Sequence, residues 1–179
     1  MGREYESIDE KMASWIGEQK LFFVSTAPLS GEGLINCSPK GMDSFRVIEN
    51  TVAYLDLTGS GVETIAHLKE NGRIVIMMCA FDGPPKIFRF YGVGEVLEHG
   101  SVGFEETKHL FPDYAGARSI IRVSVSTIRD ACGYAVPRYH YQEERDTLVK
   151  WAENKGVDGV STYQEKENAQ SLDGLPGLR

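Results

Sequence analysis

The sequence predicts a mainly β protein with α decoration, arranged as a small antiparallel barrel. Three observations carry this. Six or seven short apolar, β-prone runs recur along the chain, separated by turns of Gly, Pro, Asn and Ser. Few segments space their apolar residues as a helix does, so helices only decorate the sheet. Gly92 and Gly94 interrupt the longest run, supplying the bend or bulge a small sheet needs to curl.

Each element has its own signal. Ser7-Ile8-Asp9-Glu10 forms a capping box, with Ile8, Met12, Trp15 and Ile16 following on one helical face, which gives a helix over about 7–19. Strands follow at 21–27, ended by Pro28, and at 34–38, closed by Pro39. Residues 45–48, the Glu49-Asn50 turn and 51–57 make a hairpin. A short helix runs over about 62–70 and stops at Asn71-Gly72. Strands at 73–81 and 87–97 flank the Asp82-Gly83-Pro84-Pro85 turn, and 101–110 is helical. Residues 119–127 alternate, with Ile121, Val123 and Val125 facing a core and Arg122, Ser124 and Ser126 facing water. Residues 134–141 are aromatic and irregular. A helix over 142–155 carries an Asp146–Lys150 pair at i, i+4, and the tail from Gly156 is polar and turn-rich. The expected organisation is a single domain over 1–179, with an N-terminal helix and a C-terminal helix plus tail over 142–179.

Acidic residues outnumber basic ones 26 to 19, for a net charge of −7 and a pI near 5.1. A general nucleic-acid or anionic-membrane binder has the opposite sign, so neither partner is expected. A small anionic ligand held by a few local donors remains compatible with this charge. No apolar run approaches the length of a membrane span, and residues 1–10 are too polar for a signal peptide. Cys37, Cys79 and Cys132 are odd in number and widely spaced, which disfavours a disulfide framework or a zinc site. The expected location is cytoplasmic.

Three segments offer chemistry. Residues 52–82 run strand, Gly59-Ser60-Gly61, helix, strand, in the order of a dinucleotide-binding fingerprint, but Thr64 stands at the third glycine position and hairpins surround the unit. The same segment is physically suited to an anion: glycines let backbone amides converge, the helix adds its positive end, and Ser60 and Thr64 add hydroxyls. The competing reading is a plain turn and helix cap. In Ser38-Pro39-Lys40-Gly41, Lys40 is either a point charge for a phosphate or a solvated lysine. Arg89, among Phe88, Phe90 and Tyr91, is either an outward strand residue or a donor to a ligand carbonyl. The four histidines show no metal-ligand spacing, and no nucleophile elbow is present.

In order and spacing, FFVSTA at 22–27, INCSPKG at 35–41, VAYLDLTGSG at 52–61, Glu63-Thr64, NGR at 71–73 and RFYGVG at 89–94 resemble the pyridoxamine 5′-phosphate oxidase-like, FMN-binding split-barrel family. The resemblance implies a six-stranded antiparallel split β-barrel that forms a homodimer with FMN at the interface. It implies a flavin-dependent oxidoreductase acting on a small-molecule substrate. It places Ser38, Pro39 and Lys40 at the end of one phosphate strand, Leu57 and Thr58 beside the flavin, Ser60 and Thr64 as phosphate hydroxyls, and Arg89 near the ring. Ile35 stands where the oxidases have an arginine, and Gly59-Ser60-Gly61 where they have a Ser-Arg-Lys cluster, so oxidation of pyridoxamine phosphate itself is not implied. A non-catalytic flavin or haem binding protein and a deazaflavin-dependent reductase are the alternatives.

Overall fold

Alternating apolar residues turn the expected strands into one curled antiparallel sheet in the computed structural model, which describes residues 2–178. Met1 and Arg179, the ends of the expected domain, lie outside the described residues. The elements are β1 (Glu4–Tyr5), α1 (Glu10–Glu18), β2 (Phe22–Thr26), β3 (Asn36–Lys40), β4 (Phe45–Ile48), β5 (Thr51–Leu57), α2 (Glu63–Asn71), β6 (Arg73–Cys79), β7 (Ile87–Glu98), α3 (Val102–Thr107) with a 3-10 turn at Lys108–Leu110, β8 (Ala117–Ala131) and α4 (Thr147–Glu167). The sheet order is β3-β2-β6-β7-β8-β5-β4, and β1 pairs with β8. The main path thus holds seven strands where six were expected. Strands β5 and β6 are separated by β7 and β8, and all pairs are antiparallel, so the dinucleotide-fold reading of residues 52–82 fails.

The curl encloses a core of Val24, Tyr54, Ile76, Phe90, Ile121 and Ile128, each at most 1% exposed. A second, smaller cluster (Ala53, Leu55, Leu97, Phe104, Phe111 and Ile120) lies on the opposite face of β5 and β8, beneath α3. The curvature comes from two bulges. At the first, Tyr91 pairs with Thr127 but Gly92 with Val125, leaving Ser126 extra. At the second, Asp56 pairs with Ser119 but Leu57 with Ala117, leaving Arg118 extra. Such an extra residue bends its strand and re-aims its side chain.

Several boundaries differ from expectation for local reasons. Asp9, not Ser7, caps α1, accepting from Met12 N at 2.7 Å. Strand β3 includes Pro39, which an edge strand tolerates because it owes no ladder donor on its open side. Residues 142–146 are not helical. Glu144 accepts from Met42 N at 3.1 Å, and Lys20 lies 5.9 Å over the Tyr141 ring, so this stretch is tied to the barrel. Helix α4 therefore begins at Thr147. It crosses Gly156 at φ 70°, a conformation that favours glycine, and continues to Glu167 through what was expected to be tail. Trp151 against Tyr163, at 5.0 Å, joins its two halves. Residues 168–178 then fold back on α2: Gly177 N and Leu178 N each donate at 2.8 Å, to Ala169 O and Asn168 O, and Lys69 donates to Gly177 O.

A Cβ at position 92 would lie 2.3 Å from Ser124 O and 3.0 Å from Ser124 C, backbone of the neighbouring strand that cannot step aside. Gly92→Ala is expected to lower stability by about 1–3 kcal/mol in denaturant unfolding. Gly17→Ala, where nothing lies within 4 Å, is expected to raise it by up to about 1 kcal/mol through helix propensity.

Candidate functional site

The sheet does not close by backbone pairing: β3 and β4 are its two free ends. Side chains bridge the split. Phe22 packs edge-on against Phe45 at 4.9 Å and Tyr54 at 5.4 Å, and Ser44 Oγ donates to Gly41 O at 2.7 Å. Beside these contacts opens a cleft of about 290 Å³, walled by Ser38, Pro39 and Lys40 of β3, Leu57 of β5, Thr64 of α2 and Arg118 of β8.

Beneath the cleft lies Asp56, whose side chain is wholly buried. One carboxylate oxygen accepts from Lys40 Nζ and the other from Arg118 Nε, each at 2.7 Å. Burial pushes the Asp56 carboxyl up, but the charges and hydrogen bonds of Lys40 and Arg118 outweigh it and hold it at about 2. Arg118 reaches this carboxylate because of the second bulge. Its Nη1 also donates to Gly61 O at 2.9 Å and Asn168 Oδ1 at 3.0 Å, while Asn168 Nδ2 donates to Gly59 O at 3.0 Å. The loop leading into α2 is thus fastened from both sides.

The start of α2 is chemically open. Its N-cap is Val62, so no side chain caps the first-turn amides. Uncapped amides at a helix N-terminus favour an anion. Thr64 accepts from Asn36 Nδ2 at 2.9 Å, which leaves its own proton to donate, and Ser38 donates to Asn36 Oδ1 at 3.1 Å. Lys40 spends one of its three N–H donors on Asp56, and its side chain stays 21% exposed. These donors fit a phosphate group. The charge is modest, since Glu63 also lines the cleft and with Asp56 formally balances Lys40 and Arg118.

Of the residues singled out from sequence, Ser38, Pro39, Lys40, Leu57 and Thr64 converge on this cleft. Thr58 does not: it is 1% exposed, donates to Gly116 O and accepts from Gln164 Nε2, both at 2.7 Å. Ser60 is exposed and precedes the N-cap, so it does not begin the helix. Arg89 lies on β7 opposite Met77 and Arg129, outside the cleft. Sequence reasoning missed Asn36, Asp56, Arg118 and Asn168. A signal existed for Asp56 alone, a charge inside the apolar run 52–57 on the face of Val52 and Tyr54. His67 is packing: it is fully buried, with Nδ1 2.9 Å from Thr26 Oγ1. A larger cavity of about 760 Å³ lies between α4 and residues 99–117, floored by Leu55, Phe104 and Phe111, with His99 and His109 on its wall. Among the described residues, no group of three or more His, Cys, Asp or Glu can hold a metal, and no helix is long and apolar enough to cross a membrane.

A curled antiparallel sheet, open along one seam with a polar cleft at that seam, defines a split β-barrel protein. Residues 8–132 match the family described as pyridoxamine 5′-phosphate oxidase. The chain is 39% identical to the pyridoxamine 5′-phosphate oxidase family protein ustO of Aspergillus flavus, over 97% of this chain and 77% of that one. The chain belongs to the pyridoxamine 5′-phosphate oxidase family. Among solved structures, Group A Streptococcus HupZ is similar in fold, at 24% identity and TM-score 0.54 over 68% of this chain and 91% of that one. A variant of HupZ gives 0.56 over 69% and 99%.

The depressed Asp56 pKa has a stability consequence. Because the folded value of about 2 lies below the ordinary 3.8, the pairing stabilises fully above pH 4 and is lost as pH falls through 2. Acid titration followed by circular dichroism is expected to show a loss of about 2 kcal/mol across that window, since each pH unit between the two values is worth about 1.4 kcal/mol. Asp56→Asn, lacking this titration, is expected to start less stable and to change less across it.

Proposed function

We propose that this protein binds FMN, with the phosphate in the cleft at the seam, and is a flavin-dependent oxidoreductase acting on a small molecule. The observation that carries the reading is the convergence of Lys40, the Thr64 hydroxyl and the uncapped α2 amides at one mouth, in a chain of this family. When bound, the flavin supplies the electron transfer. The protein's part is to bind and orient. Lys40 and Thr64 donate to the phosphate, Ser38 holds Asn36 and through it Thr64, and Leu57 offers apolar surface beside the phosphate end.

We place the flavin between two copies of the chain. A barrel this small fills its interior with side chains, as the fully buried Tyr54, Ile76 and Phe90 do here, so a cofactor of that size lies outside. Apolar groups stand ready to cover it: Ile35 is 79% exposed, Val93 62% and Tyr134 82%. Tyr139 and Tyr141 are exposed too, whereas Trp151 packs on its own helix.

Purified protein is expected to absorb near ~450 nm and to release FMN on denaturation, identified by mass. A Soret-type band points to haem instead, and a deazaflavin mass to the related cofactor. Lys40→Ala is expected to weaken FMN binding by roughly 10- to 100-fold in fluorescence titration, the worth of one charge-assisted hydrogen bond. Light scattering is expected to show a dimer whose dissociation accompanies flavin loss; a monomer holding FMN tightly removes the interface from the reading.

A further inference from the structure

We propose that Asp56 and Arg118 are positioning residues that set Lys40 and the α2 amides as one pre-aligned anion cradle. This rests on the reading of the cleft as the phosphate end of a flavin site.

Four observations lead there. Asp56 is fully buried, on the strand face where Val52 and Tyr54 pack into the core. A carboxylate there costs desolvation that only close cationic partners offset, and an apolar residue of similar size carries no such cost. Lys40 sits on a flexible stem, and its Nζ is held at 2.7 Å by that carboxylate while part of the side chain still faces the cleft. Arg118 is the extra residue of a bulge, which turns its guanidinium to the same carboxylate. From there it reaches Gly61 O, one residue before the N-cap of α2.

The ammonium comes from β3 and the amide end from α2, and one buried group on β5 locates both, the first directly and the second through Arg118. A lysine that had to find its own geometry would lose rotamer freedom on binding. Held by Asp56, it has lost that freedom already, so the ligand's phosphate meets donors in place. Asp56 itself lies beneath the cleft and does not line it, so it acts through Lys40 and Arg118.

The test compares FMN with riboflavin, which lacks the phosphate, by fluorescence titration of the full chain. Asp56→Asn is expected to reduce FMN affinity about tenfold and riboflavin affinity less than about twofold. Lys40→Met is expected to lower the same ratio, and adding Asp56→Asn to it should lower it further only by the part carried through Arg118, so that the double variant falls short of the two single effects combined. Where Asp56→Asn does not fold, Asp56→Glu keeps the buried charge, displaces the carboxylate by a methylene, and is expected to lower the ratio in the same direction. Equal losses for both ligands would make Asp56 a structural residue and overturn the proposal. So would a gain in FMN affinity, which would make Asp56 a competitor for the ammonium, or additive effects in the double variant. Wild-type protein that binds neither probe overturns the flavin reading together with this one; wild type that binds FMN while every Asp56 variant keeps the wild-type ratio overturns this one alone.

Discussion

The two salt bridges to Asp56 are the interaction on which the rest of the site depends. A sheet that curls without closing leaves a seam, and a seam must be sealed by side chains. Near Phe22, Phe45 and Tyr54 the seal is aromatic. At the mouth it is ionic, with β3 contributing Lys40, β5 Asp56 and β8 Arg118. Removing one member of such a buried set leaves an uncompensated charge, a loss of about 3–5 kcal/mol, so the three residues constrain one another. The bulge that presents Arg118, the path of the Gly59–Gly61 loop and the docking of Asn168 all conform to that constraint.

On the proposed reading, this arrangement lets a cleft with little net charge accept a phosphate. Two cations and two carboxylates leave no excess of charge to attract an anion over long distance. What remains is a set of donors around one cleft: Lys40 and the Thr64 hydroxyl, beside the uncapped first turn of α2. Donors fixed in a partly dehydrated mouth would hold an anion by hydrogen bonding, with the cost of aligning them met on folding. The C-terminal segment shares in this. Gln164 and Asn168 bond Thr58 and Gly59, so the loop before α2 is rigid on its far side as well.

Much of the fold was legible because its signals are local. Alternation located β8, the Glu49-Asn50 turn located the β4–β5 hairpin, Gly72 at φ 71° ended α2 where expected, and Gly92 marked a bulge. Local signals failed where tertiary contacts overrode them. Residues 142–146 have helical composition, yet Tyr141 and Glu144 bind the barrel instead, and Gly156 looked like a helix stop yet only bends α4. In the site, β3 and α2 residues were legible from their places at element ends. Thr58 occupied the right place too, but its hydroxyl is consumed by Gly116 and Gln164, partners 58 and 106 residues away.

Arg118 shows why the remainder was hidden. By alternation with Ile121, Val123 and Val125, position 118 belongs on the face of Arg122, away from the barrel core. One extra residue in β8 inverts that assignment, and nothing within residues 117–127 announces it. The bulge turns Arg118 toward a charged partner on the neighbouring strand β5. That partner, Asp56, lies 62 residues earlier in the chain and was itself legible only as an anomaly in an apolar strand. Each residue is ordinary or out of place alone, and each becomes explicable through the other. A site built at the seam of a split barrel is assembled from strand ends that only the finished curl brings together. Its residues are therefore found by asking which buried charge lacks a local partner, and then which distant strand must bend to supply one.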